Sequence, residues 1–202
     1  MRKDITGIIL CGGKSSRMQT NKALLKLNKT TVIEIVLNEM QKIFSDVLIS
    51  ANDCDKFSFL NIPLVKDLIV NRGPLSGIYS ALKESKTEKN FITTCDLPLI
   101  NYHIIDYLIN ISSNNEIIIP TINGLPQRLF GVYSKSLTTK IEEIFSLSEN
   151  DKTIKGSIYD LHQRAAVELI EIDHLPFYNK NMFMNMNTQE DYKTIKNIYE
   201  NK

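Results

Sequence analysis

Between Leu10 and Lys22 the chain reads LCGGKSSRMQTNK, which gathers two glycines, two serines and the basic residues Lys14, Arg17 and Lys22 into thirteen positions. These are residue types that hold oxyanions. Gly12 and Gly13 admit positive φ and leave backbone N–H groups open to a ligand, so successive N–H groups can form an anion nest. Arg17 offers a planar fork of donors, and Lys22 a movable point charge. A glycine turn carrying ordinary solvated basic residues would have the same composition, but this loop follows the apolar run Ile5–Leu10, which reads as a buried strand. The segment contains neither GxxxxGK[ST] nor GxGxxG, so the common ATPase and dinucleotide loops do not describe it.

Two carboxylates fall where they could complement such a loop. Asp96 follows the strand-like Phe91-Ile92-Thr93-Thr94 and precedes the stiffening Pro98. It can hold Mg²⁺ against phosphate oxygens, or it can cap a helix beginning near Leu99. Asp67 follows the short apolar pair Leu64-Val65 and reads either as a nucleotide or metal contact or as a solvated turn residue. No Ser-His-Asp or Cys-His arrangement supports hydrolytic chemistry, and His103, His162 and His174 lack metal-ligand spacing and read as surface or satisfied structural residues.

The elements that must position these residues alternate. Short strands are expected at Ile5–Leu10, Val47–Ile49, Leu64-Val65 and Phe91–Thr94. Helices are expected after the capping box Thr31–Glu34 and, entered through Gly73-Pro74, from Leu75 to Leu82. Later strands are expected at Ile117–Ile119, Leu129–Tyr133 and Val167–Ile172, and helices at Thr139–Leu147, Ile154–His162 and from a Thr188 cap to Tyr199. This βα alternation predicts an α/β fold of three layers, Rossmann-like, with a mostly parallel central sheet and helices on both faces. Ligands of such sheets sit outside the carboxyl ends of the strands, where the glycine loop, Asp67 and Asp96 would all lie.

Bulk properties agree with a globular protein. The 202 residues are 43% hydrophobic and 23% charged, with no repeat or low-complexity linker, so one domain over 1–202 is expected. A net charge of +1 gives no global argument for nucleic acid. The N-terminal apolar run is too short for a membrane span, and Cys11, Cys54 and Cys95 without CxxC spacing suggest reduced thiols, so a cytoplasmic location is expected.

Taken together, LCGGKSSRMQTNKALL, the asparagine in ISAND, DLIVNRGPLSGI, TTCDLP, PQRLFGVY and NMNTQEDY run in an order that resembles the molybdenum cofactor guanylyltransferase family. That family belongs to a wider group of Rossmann-like nucleotidyltransferases. The resemblance implies transfer of GMP from GTP to the terminal phosphate of molybdenum-molybdopterin, with release of pyrophosphate. It places Gly12, Gly13, Ser15 and Arg17 on the triphosphate and Lys22 on phosphate, with Leu10 lining the guanine pocket. Asn52 and Asp67 would contact nucleotide or organise its pocket, Gly73 and Pro74 would approach base or ribose, and Asp96 would bind Mg²⁺. Asn185 and Asn187 would serve the pterin-phosphate side, although by residue type alone they could be caps or turn formers. Arg17, Lys22 and Asp96 would carry catalysis by charge neutralisation.

The chain departs from the usual family pattern at Gln19, where glycine is customary, and at Asn21, where aspartate is. Rival readings are the same transfer from CTP, transfer to a sugar phosphate, and nucleotide binding without turnover. Implied partners are GTP, the pterin and transient contacts with cofactor-delivery proteins or apo-molybdoenzymes, with neither nucleic acid nor membrane.

Overall fold

The structure, a computed structural model, describes residues 1–12 and 21–201. The first half contains β1 (Ile5–Leu10), a short hairpin of β2 (Lys26–Leu27) and β3 (Thr30–Thr31), α1 (Val32–Gln41), β4 (Val47–Ser50), β5 (Leu64–Val65), α2 (Pro74–Glu84) and β6 (Lys89–Thr94). The second contains α3 (Tyr102–Ile109), β7 (Ile117–Ile122), β8 (Leu125–Pro126), β9 (Gly131–Ser134), α4 (Leu137–Asn150), α5 (Ile158–Arg164), β10 (Val167–Glu171) and α6 (Gln189–Glu200).

The main sheet runs β10-β7-β9-β6-β1-β4-β5, with β8 attached to β7. Strands β6, β1, β4 and β5 are mutually parallel, as are β7 and β10, while β9 is antiparallel to both β6 and β7. The mostly parallel α/β sheet is therefore present, with one reversed strand inside it. Every residue of β1 is buried. Its side chains alternate between two apolar layers, as a strand covered on both faces requires. Ile5 and Ile9 join Val36, Phe91 and Ile104 on the side of α1 and α3. Ile8 and Leu10 join Ile78, Ile141 and Leu161 on the side of α2, α4 and α5.

A third, smaller apolar cluster unites Leu27, Val32, Leu99, Met186 and Ile195. It ties the β2–β3 hairpin and the start of α1 to the segment preceding α6. Neither the hairpin nor α3 was foreseen from the periodicity. The hairpin is two residues per strand, and α3 spans only eight residues, too short for an unambiguous helical period. The expected helix from Ile154 begins instead at Ile158, because Ser157 and Asp160 form a capping box there.

His162 of α5 is a satisfied structural histidine. Tyr133, fully buried in β9, gives its hydroxyl proton to the Arg128 carbonyl, so Nε2–H of His162 is the donor in its 3.0 Å contact with that hydroxyl. Burial pushes the imidazole down to about 4, with the Arg128 guanidinium acting in the same direction. In the unfolded chain the group returns to its ordinary value of 6.5. Between these values the unfolded state binds the extra proton, so stability drains away as pH falls through that window. Denaturant midpoints at neutral and at mildly acid pH should show a larger acid loss for the parent than for His162→Gln, which does not ionise. Equal losses would remove His162 as a cause.

Candidate active site

Register sets the edge of the sheet. Leu10 pairs with both Ser50 and Thr94, and Ser50 pairs with Val65, so β1, β4, β5 and β6 end level with one another. The chain leaving them delivers Gly12, Asn52, Asp67 and Asp96 to one side. A cleft of about 1000 Å³ opens there, and its lining includes Leu10, Gly12, Lys22, Asn52, Asp67 and Asp96, together with Gly73 and Pro74. This is also where the strand order reverses, since β4 and β5 lie on one side of β1 and β6 on the other.

Asp96 and Lys22 form the centre of the charged end. Lys22 Nζ lies 2.5 Å from Asp96 Oδ2 and donates to Asn187 Oδ1 at 2.9 Å. The second carboxylate oxygen accepts from the Thr94 hydroxyl. The lysine and aspartate side chains are 21% and 13% exposed, which makes this contact less solvent-screened than a surface pair. Lys22 opens a single 3₁₀ turn whose cap is Asn21, the carboxamide oxygen accepting from Ala23 N at 3.1 Å. Asn21, where the resemblance leads one to expect an aspartate, thus supplies the cap.

Asp96 caps no helix: Asn101 performs that role for α3, accepting from Ile104 N at 3.3 Å. Thr188 likewise caps α6, which leaves the Asn187 carboxamide to Lys22. The backbone of this late segment is pinned by Met186 N donating to Asp96 O at 3.0 Å. Asn185 and Asn187 are both exposed and both lie outside the lining of the cleft, and of the two it is Asn187 that reaches it, through its contact with Lys22.

At the other end Asn52 and Asp67 clasp one another. Asn52 Nδ2 donates to the Asp67 carboxylate at 2.9 Å, and Asn52 Oδ1 accepts from Asp67 N at 3.1 Å. Asp67 is therefore an ordered wall of the cleft and not a freely solvated turn residue. Helix α2, beside Asp67, begins through Gly73, at φ 63°, with Pro74 in its first turn. Gly77, on the same helix, lies so close to the sheet that a Cβ would stand 2.8 Å from Ser50 Oγ.

Gly12 is not among the glycines with positive φ, and a Cβ there would meet nothing within 4 Å. It contributes an open approach to the cleft, without a left-handed turn. Gly13, Ser15 and Arg17, with Lys14 and Gln19, lie outside the described residues.

Sequence reasoning passed over Cys11, Cys95, Asp53, Lys56 and Leu129, all of which line the cleft. The two cysteines were treated only as reduced thiols, although the Leu10–Thr94 register could have shown them to be neighbours. Burial pushes the Cys11 thiol up, with the adjacent Cys95 thiol adding to it, so Cys11 is a protonated part of the floor. Among the described residues no three His, Cys, Asp or Glu side chains converge as a metal cluster. A single carboxylate is nonetheless suited to Mg²⁺ that arrives with phosphate oxygens and retains its waters. The cleft combines lysine side chains, the partly buried carboxylate of Asp96 and a polar wall, which fits a charged, phosphorylated ligand.

Residues 7–165 match the MobA-like NTP transferase domain model. A Carboxydothermus hydrogenoformans protein named "Probable molybdenum cofactor guanylyltransferase" is 34% identical over 199 residues, covering 98% of each chain. An Aquifex aeolicus protein of the same name is 34% identical over 190 residues, covering 94% of this chain and 89% of that one. Among solved structures, an Aquifex aeolicus protein superposes with a TM-score of 0.74 at 34% identity, covering 91% of this chain and 94% of that one. The molybdopterin-guanine dinucleotide biosynthesis protein A of Archaeoglobus fulgidus shares the fold with a TM-score of 0.81 at 20% identity, covering 98% and 100%.

The close approach of Gly77 gives a direct check on the wall of the cleft. Gly77→Ala must displace Ser50 or tilt α2, and overpacking of this kind costs about 1–3 kcal/mol. The melting temperature should fall by roughly 2–4 °C per kcal/mol, and the affinity for nucleoside triphosphate should fall with it. A variant with parental melting and binding would mean that α2 has slack against the sheet.

Proposed function

The chain belongs to the MobA-like NTP transferase family, and on that premise we propose that it transfers GMP from GTP to the terminal phosphate of molybdopterin. The observation that carries this reading is the sharing of Lys22 Nζ between Asp96 at 2.5 Å and Asn187 at 2.9 Å. Lys22, next to the glycine loop, meets there both Asn187, near the end of the chain, and Asp96, two residues past β6. A site that must join two phosphorylated substrates needs such a meeting point.

In the proposed reaction an oxygen of the acceptor phosphate attacks the α-phosphorus of GTP. The bond from that phosphorus to the β-phosphate oxygen breaks, and its electron pair leaves with pyrophosphate. A phosphate monoester is already ionised near neutral pH, so neither a covalent intermediate nor a strong general base is required. Catalysis then rests on alignment and charge neutralisation. Lys22 would move its ammonium from Asp96 towards phosphate oxygens, and Asn187 would hold that side chain at the acceptor end of the cleft. Asn52, Asp67, Gly73 and Pro74 would bound the nucleoside, with Leu10 against the base. Arg17, Gly13 and Ser15 are proposed for the triphosphate from sequence alone. Mg²⁺, held by Asp96 together with the phosphates, would supply further positive charge during transfer.

Pyrophosphate release from GTP, CTP, ATP and UTP, with and without molybdopterin, tests the reading. Release should require GTP, molybdopterin and Mg²⁺ together. Faster release from CTP would replace the guanylyl assignment with a cytidylyl one. Asp96→Asn should lower turnover on the order of a hundredfold with unchanged melting, because the amide is a poor substitute for a charged carboxylate. Near-parental turnover would sink the assignment of Asp96.

The two partners of Asp96's neighbourhood should separate in binding. Lys22→Ala should chiefly weaken GTP, and Asn187→Ala should chiefly weaken molybdopterin, since Lys22 keeps Asp96 as a partner in the latter variant. Calorimetric titration of both substrates reads this directly. Normal molybdopterin binding by Asn187→Ala would remove Asn187 from the acceptor site.

A further inference from the structure

The antiparallel strand β9 starts at the edge where its parallel neighbours end. Its register with β6 pairs Ile92 with Gly131, and counting onward brings Leu129 level with Thr94 and Arg128 level with Cys95. Leu129 lines the cleft together with Thr94, Cys95 and Asp96. Arg128 is thus carried to the same edge, one residue from the lining.

Its side chain is only half satisfied. Arg128 Nε is buried with no hydrogen-bond partner, and no ion pair of Arg128 occurs among the described residues. The guanidinium rests on the ring of Tyr159 at 5.5 Å, and that ring is 55% exposed. The nearby imidazole of His162 is held neutral by burial and offers no countercharge. The other arginine with a partly buried side chain near this region, Arg72, bonds Ser148 at 2.6 Å and pairs with Glu149 at 3.3 Å. A guanidinium has five fixed donors matched to oxyanions, and burying such donors unmet is costly. An arginine left without a carboxylate at the rim of a phosphate-handling cleft is preorganised for an anion from solution.

We propose that Arg128 is a binding residue for a phosphate oxyanion, namely the phosphate monoester of the acceptor substrate. The proposal rests on the transfer reading above, and it adds a positive charge beside Leu129, where the entry to β9 meets the edge of the cleft. The incoming dianion would then be held from one side by Arg128 and reach Lys22 and Asn187 on the other. The same chemistry occurs in the triphosphate and in free phosphate, so the test distinguishes the three sources.

Calorimetric titrations of GTP, molybdopterin and inorganic phosphate into the full-length parent, Arg128→Met and Arg128→Lys provide that test, with melting temperatures recorded for each. Arg128→Met should melt at or above the parent, because it removes an unmet buried donor. It should bind GTP within about twofold of the parent and molybdopterin at least about tenfold more weakly, the loss of one charge-assisted contact. Arg128→Lys should recover part of that affinity. Should Arg128→Met prove unstable, the lysine variant alone must still show weakened molybdopterin and unchanged GTP binding.

Parental affinity for molybdopterin and phosphate in both variants would overturn the proposal. Loss of GTP affinity with molybdopterin binding intact would also overturn it, by moving Arg128 to the triphosphate. If the parent binds phosphate through Arg128 but binds no molybdopterin, the anion site stands and the transfer reading fails instead.

Discussion

One ammonium group organises the charged end of this molecule. Lys22 Nζ touches Asp96, 74 positions away, and Asn187, 165 positions away. Opposite charges at such a distance attract strongly only where water is held back. The structure meets that condition through apolar packing beneath the contact. Met186 and Leu27 are fully buried, and they pack with Val32, Leu99 and Ile195. Each belongs to a segment that also carries one of the three polar partners or leads directly from it. The cluster therefore brings the segments together, and the ion pair refines their position. Without that apolar seal, Lys22 and Asp96 would be an exposed pair of little worth.

The remainder of the cleft follows from strand register. A parallel sheet whose central strands end level with one another leaves a continuous row of chain exits, and the crossover between β5 and β6 parts the helices above that row. The reversed strand β9 adds something a purely parallel sheet lacks. Its entry loop, Gln127–Phe130, arrives at the same edge from the opposite direction, so Leu129 reaches the cleft without belonging to any strand exit. The polar groups divide along this edge. Asn52 and Asp67 satisfy one another at one end, whereas at the other Lys22 is paired with the Asp96 carboxylate.

Much of this was legible in the residues. The buried run Ile5–Leu10, the capping boxes at Thr31 and Thr188, and the Gly73-Pro74 helix entry are local signals, and each appears in the structure where it was expected. Asp67 and Asp96 were found because the ends of apolar runs mark the carboxyl edge of an α/β sheet. The positive φ that glycine allows is not used at Gly12, because glycine permits that conformation without demanding it. The β2–β3 hairpin escaped notice, and the helix near Leu99 entered only through its possible cap, because two to eight residues hold too few repeats of a period to distinguish helix from strand.

The sequence alone determined the fold class, the glycine and basic composition of the chain leaving the first strand, and the acidic residues at strand ends, since each rests on residues close in the chain. Tertiary structure alone decided that Asn187, and not Asn185, meets Lys22, that Asp96 is no helix cap, and that Arg128 has no carboxylate partner among the described residues. Those outcomes depend on which distant side chains share a few ångströms once the apolar layers have closed. Hydrogen bonds and ion pairs fall off steeply with distance, so no pattern of spacing along the chain encodes them directly.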